Sequence, residues 1–127
     1  MSRKILIVDD EPQIIEVLTK RLEANQYTVV SAFDGEQGIE KAMSEKPDLI
    51  IIDIMMPNLD GGRAVRLLKS DPSTQNIPVL FLTAVLTGTE GMDHPGINID
   101  GITYAALAKP FDSQELLAKI IELIGDD

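Results

Sequence analysis

The chain has 127 residues, of which 44% are apolar and 25% charged, a balance that suits one globular domain with its own core and excludes disordered, collagenous and coiled-coil chains. It has no cysteine, so disulfides and thiolate-bound metals are excluded, and its short apolar runs predict neither a membrane span nor a secretion signal. A formal charge of −10 repels phosphate backbones and anionic lipid, so this domain is expected to bind neither nucleic acid nor membrane directly.

In chain order, the first predicted element is Ile5-Leu6-Ile7-Val8, an apolar, β-branched run that stops at Asp9-Asp10-Glu11-Pro12. Such a run reads as a strand buried on both faces. Pro12 in a first turn, acidic residues before it, and Ile14, Ile15, Leu18 and Leu22 on one face then predict a helix to about residue 25. A second strand is expected over 28–32 and a second helix over 35–44, with Ile39, Ala42 and Met43 inward. Leu49-Ile50-Ile51-Ile52 repeats the first strand's pattern and stops at Asp53; a third helix follows over 62–70, with Ala64, Leu67 and Leu68 inward. Strands over 79–82 and 105–108 end at Thr83 and Lys109. The last helix opens with Asp112 and Glu115 spaced as a capping box, and its stripe is Leu116, Leu117, Ile120, Ile121 and Ile124.

Strands alternating with helices imply right-handed crossovers and a parallel sheet covered on both faces, a three-layer α/β fold. One segment breaks the alternation. Residues 87–101 carry Gly88, Gly91, Pro95, Gly96 and Gly101 where a fourth helix is due. Helix propensity is poor there, so a loop or at most a short frayed helix is expected.

In an open parallel sheet the binding crevice lies at the carboxyl ends of the strands. Asp9 and Asp10 follow the first strand, Asp53 the third, Thr83 the fourth and Lys109 the fifth. Two unit charges about 4 Å apart repel by roughly 4 kcal/mol at an effective dielectric near 20, so three carboxylates gathered there stay ionised only beside a cation. Only hard oxygens are on offer, which suits Mg²⁺ or Mn²⁺ and not zinc. A metal, an ammonium and a hydroxyl around one carboxylate are the parts of a phosphoryl acceptor. Asp53 is the natural nucleophile, because it stands alone while Asp9 and Asp10 are paired.

Val8-Asp9-Asp10-Glu11-Pro12, Asp53-Ile54-Met55-Met56-Pro57 with Asp60-Gly61, Leu82-Thr83-Ala84 and Lys109-Pro110-Phe111, in this order along the whole chain, closely resemble the receiver domain of two-component response regulators. The resemblance implies a doubly wound, flavodoxin-like sheet of five parallel strands in the order 2-1-3-4-5, with a Gly-rich region in place of a full fourth helix. It implies one receiver domain over residues 1–127 with no output domain in this chain, acting in the cytoplasm. Asp53 would accept a phosphoryl group from the phosphohistidine of a sensor histidine kinase or a phosphotransfer protein. Asp10, Asp53 and the main-chain carbonyl of Met55 would ligate Mg²⁺, with Asp9 helping through water. Thr83 would hydrogen-bond the phosphoryl group, Ala84 would lend its backbone N–H, and Lys109 would pair with a phosphoryl oxygen. The signal would be read by an effector, a partner or a phosphorylation-dependent homodimer.

The sequence departs from the family pattern in two places, and the first is the stretch from Thr83 to Lys109, which is longer and richer in glycine than the family norm. The aromatic usual three positions before the lysine is replaced by Ala106, while Tyr104 lies two residues earlier on the same face of the strand. Met55 and Val85, two positions after the aspartate and the threonine, cannot orient a hydrolytic water, so slow self-dephosphorylation is expected. Three rival functions fit the residues less well. A phosphohydrolase of the haloacid dehalogenase type would need a second acid at position 55, which is Met55. A flavodoxin-like nucleotide binder would need a Gly-rich or Ser/Thr-rich loop after the first strand, which is absent. A degenerate receiver would have lost acid, hydroxyl or lysine, and all are present. No turnover of an external substrate is expected.

Overall fold

The computed structural model describes residues 3–53, 61–83, 97–99, 101–108 and 112–125. The element order is β1 (Lys4–Val8), α1 (Pro12–Ala24), β2 (Thr28–Ala32), α2 (Gly35–Glu45), β3 (Leu49–Asp53), α3 (Gly61–Lys69), β4 (Val79–Thr83), β5 (Ile97–Ile99), β6 (Ile102–Ala108) and α4 (Ser113–Ile124). The sheet order is β2-β1-β3-β4-β6-β5. Its first five members are joined by parallel ladders, so the expected parallel order 2-1-3-4-5 is present, with β6 as the fifth parallel strand.

Period-two alternation divides the core. Leu6, Val8, Ile50, Ile52, Val79, Phe81 and Ala106 face α2 and α3, where Ala42, Ala64, Val65 and Leu68 meet them. Ile5, Ile7, Leu49, Ile51, Leu80, Leu82 and Leu107 face α1 and α4, meeting Ile15, Leu18, Leu22, Leu116 and Ile120. Every residue of β3 and β4 is buried, which is why these strands read as continuous apolar runs rather than alternating ones.

The helices begin as capping chemistry dictates. The carboxylate of Asp34 accepts from Gln37 N at 2.8 Å, and Gln37 Oε1 in turn accepts from Phe33 N at 3.1 Å. Asp112 accepts from Glu115 N at 2.8 Å, as its spacing predicted. Three inward assignments are corrected: Met43, Leu67 and Ile121 are 38%, 45% and 43% exposed. Each lies about 100° round its helix from the buried centre, and the inward places fall instead to Gly38, Val65 and the half-buried Leu123. Gly38 is enforced by contact, since a Cβ there would lie 2.8 Å from Val8 Cγ2 and 3.0 Å from Cγ1.

The larger correction falls in 87–101, where neither a helix nor a loop accounts for 97–99. That piece is β5, paired antiparallel with β6 through Ile97↔Tyr104, Asn98↔Thr103 and Ile99↔Ile102. Only two residues, Asp100 and Gly101, separate the paired Ile99 and Ile102, and Gly101 takes φ +85°, the left-handed region that short hairpin turns demand. Residues 87–96 and 100 lie outside the described residues. β6 therefore begins three residues before the expected strand, because its first half pairs with β5 and only Ala105–Ala108 pair with β4.

Lys69, at the C-terminus of α3, ties this side together. Its Nζ donates to the carbonyls of Gln75 and Ile77, both at 2.9 Å, and lies 5.8 Å from the ring centroid of Tyr104. Burial lowers its pKa below 10.5. Tyr104 meets Phe81 edge-on, with centroids 5.8 Å apart. Among the described residues no helix is long and apolar enough to cross a membrane.

Candidate phosphoacceptor site

The carboxyl ends of β1, β3 and β4 bring the acidic and hydroxyl residues to one edge. The β1–β2 ladder extends one residue past β1, where Asp9 N donates to Ala32 O at 3.1 Å. Asp9 is fully buried, and its Oδ1 accepts from Glu11 N at 2.9 Å. This is an Asx-type turn, in which a side chain replaces a backbone acceptor two residues on. It turns the chain from strand to helix and leaves Asp10 and Glu11 exposed at the rim. Pro12 then opens α1 without needing a donor, and Glu11 at the N-cap makes no side-chain cap bond.

Asp53 ends β3 and is 6% exposed. On the neighbouring strand it pairs with Leu82, which sets Thr83, 7% exposed, one residue further towards the same edge. Thr83 pairs in turn with Ala108, the residue before Lys109. Carboxylate oxygens of Asp9, Asp10, Glu11 and Asp53 all lie within 4.8 Å of one another. Asp9, Asp10 and Asp53 thus come together as the sequence predicted; Glu11 joins them unforeseen, although its place directly after the aspartate pair was a signal. Met55, Ala84, Val85 and Lys109 lie outside the described residues.

Among the described residues this donor set is all carboxylate and partly buried, so the residues present fit a hard divalent cation that keeps several waters. A profile of the response regulator receiver domain family matches residues 5–121. The chain belongs to that family. The receiver is 38% identical over 126 residues to the response regulator PleD of Caulobacter vibrioides, covering 97% of this chain and 26% of that protein. It is 39% identical over 121 residues to the alkaline phosphatase synthesis transcriptional regulatory protein PhoP of Bacillus subtilis, covering 94% of this chain and 48% of that one. The chain therefore spans between a quarter and a half of the length of these two relatives.

Among solved structures, the receiver is similar to the receiver domain of the sensor histidine kinase PA1611 from Pseudomonas aeruginosa, with TM-score 0.83 and 30% identity over 99% of this chain and all of that one. That structure has a magnesium ion coordinated in its active-site cleft. The chemotaxis protein CheY4 of Vibrio cholerae superposes with TM-score 0.81 at 25% identity, covering 97% of this chain and 99% of that one. The family is one of phosphoacceptor switches in two-component signal transduction.

Proposed function

We propose that this receiver is a signalling switch in which Asp53 takes a phosphoryl group from the phosphohistidine of a sensor histidine kinase or a phosphotransfer protein. The observation that carries the reading is the gathering of four carboxylates within 4.8 Å at one sheet edge, beside the buried Thr83. A carboxylate oxygen of Asp53 forms a bond to phosphorus as the donor's N–P bond breaks, and the freed imidazole takes up a proton. Asp10, Asp53 and the carbonyl of Met55 would hold Mg²⁺, or Mn²⁺ in its place, with Asp9 acting through water. When bound, that cation supplies positive charge against the phosphoryl oxygens. Asp9 keeps the turn that presents Asp10, while the Thr83 hydroxyl, the Ala84 N–H and the Lys109 ammonium are assigned to the phosphoryl oxygens.

The added charge biases two conformations, read by an effector, a partner or a second copy of the chain. The domain works in the cytoplasm, where histidine kinases meet ATP, and turns over no external substrate. The test is incubation with acetyl phosphate and Mg²⁺, followed by mass measurement of the native protein and of Asp53→Asn. One phosphate gained by the first and none by the second is expected. A native chain that stays unmodified would mark a degenerate receiver, and steady hydrolysis of a generic phosphomonoester would favour the phosphohydrolase.

A further inference from the structure

We propose that Glu11 sets the divalent-cation affinity of this site from outside the inner ligand shell, by accepting a hydrogen bond from a metal-bound water. The inference rests on the reading of the cluster as a cation site. Glu11 occupies the N-cap of α1, and its carboxylate offers one of the four oxygens gathered with those of Asp9, Asp10 and Asp53. Its own N–H, donated to Asp9 Oδ1 at 2.9 Å, fixes the backbone from which that side chain reaches over the site. Mg²⁺ takes one or two carboxylates directly and keeps several waters. Three aspartates already offer more than it needs, so the fourth carboxylate belongs one water further out. There it adds negative charge and orients a ligand water without occupying a coordination position, as outer-shell carboxylates do elsewhere.

The experiment is calorimetric titration of the native chain with Mg²⁺, alongside Glu11→Gln, Glu11→Lys and Glu122→Gln. The last removes the same charge on the exposed face of α4, where Glu122 is paired with Lys119. Glu11→Gln is expected to weaken binding about tenfold, Glu11→Lys to weaken it further, and Glu122→Gln to leave it unchanged. Water-proton relaxation with Mn²⁺ in place of Mg²⁺ reads the number of metal-bound waters, expected to be the same in the native chain and in Glu11→Gln. Retained Mg²⁺ affinity in Glu11→Gln, an equal loss in Glu122→Gln, or an extra metal-bound water in Glu11→Gln would each overturn the inference while leaving the cation site standing. A native chain with no Mg²⁺ affinity would overturn the site reading itself. Circular dichroism of each variant confirms that the fold is kept.

Discussion

Replacing Gly38 with alanine sets two effects of known size against each other. Alanine in a helix interior is favoured over glycine by about 1 kcal/mol. Against it, the new methyl would stand 2.8 and 3.0 Å from the two Val8 methyls, roughly half an ångström or more inside the 3.5–4.0 Å optimum for carbon contacts. Val8 cannot move aside easily. It is 1% exposed, its strand is paired on both sides through Ala32 and Ile52, and its β-branched side chain is stiff at χ1. Overpacking of this kind costs about 1–3 kcal/mol, so Gly38→Ala is expected to destabilise by up to about 2 kcal/mol net. For a domain of this size that lowers Tm by as much as about 8 °C. Val8→Ala alone loses two buried carbons, about 1.6 kcal/mol by area transfer and more with the cavity left behind. In that background the added methyl fills the gap, so Gly38→Ala should become stabilising by about 1 kcal/mol. Urea denaturation of the four proteins closes the cycle, with an expected coupling of about 1–3 kcal/mol. If Gly38→Ala stabilises the native chain as much as it stabilises Val8→Ala, the contact carries no energy and the reasoning fails.

Thr74 is 1% exposed and its hydroxyl donates to the carbonyl of Leu68, which also accepts from Asp71 N at 3.3 Å; Thr74→Val should cost about 1 kcal/mol by removing the hydroxyl's bond, measurable as a lower urea midpoint. The carboxylate of Asp71 accepts from the hydroxyl and backbone N–H of Ser73 at 2.6 and 2.8 Å, which holds its pKa below 3.8. A depressed carboxyl pKa adds stability above the unfolded value that is lost as pH falls through the folded one, and NMR titration of Ser73→Ala should show the Asp71 pKa moving up towards 3.8. Lys69 runs the other way: burial lowers its pKa, so the unfolded chain holds the proton longer and stability should rise with pH between the folded pKa and 10.5. Lys69→Met should lack that rise in alkaline unfolding curves. For the phosphorylated receiver, a Met55→Asn, Val85→Glu double variant is expected to lose its phosphoryl group faster than the native chain, and equal lifetimes would discard that expectation.

The parallel sheet and its helices were legible because doubly buried strands leave a mark that few other elements leave. Ile5-Leu6-Ile7-Val8 and Leu49-Ile50-Ile51-Ile52 are too short for helices and too apolar for loops. The site was legible for the same reason, since an acid directly after such a run must stand at the strand's carboxyl end. The β5–β6 hairpin was signalled but outweighed. Ile97-Asn98-Ile99 and Ile102-Thr103-Tyr104 alternate apolar and polar around Asp100-Gly101, a strong short-range hairpin signature, whereas strict strand–helix alternation directed the reading towards a failed helix. Met43, Leu67 and Ile121 were misplaced because apolarity marks the edge of a stripe as readily as its centre. Gly38 was missed because a residue that lets two elements approach has no side chain to announce it, and the pairing of Glu11 with the aspartates depends on where a turn aims a side chain.

β6 changes neighbours halfway along, bonding to β5 over Ile102–Tyr104 and to β4 over Ala105–Ala108. The hairpin half overhangs the parallel sheet by three residues, about 10 Å, at the end remote from Asp53 and Thr83, and Ile102 there is 55% exposed. Amide protons of that overhang can therefore exchange with solvent by local fraying, while those of the other half wait for far deeper opening. A single strand thus serves as the boundary between a yielding extremity and a persistent centre, and motion at the former does not require the latter to let go.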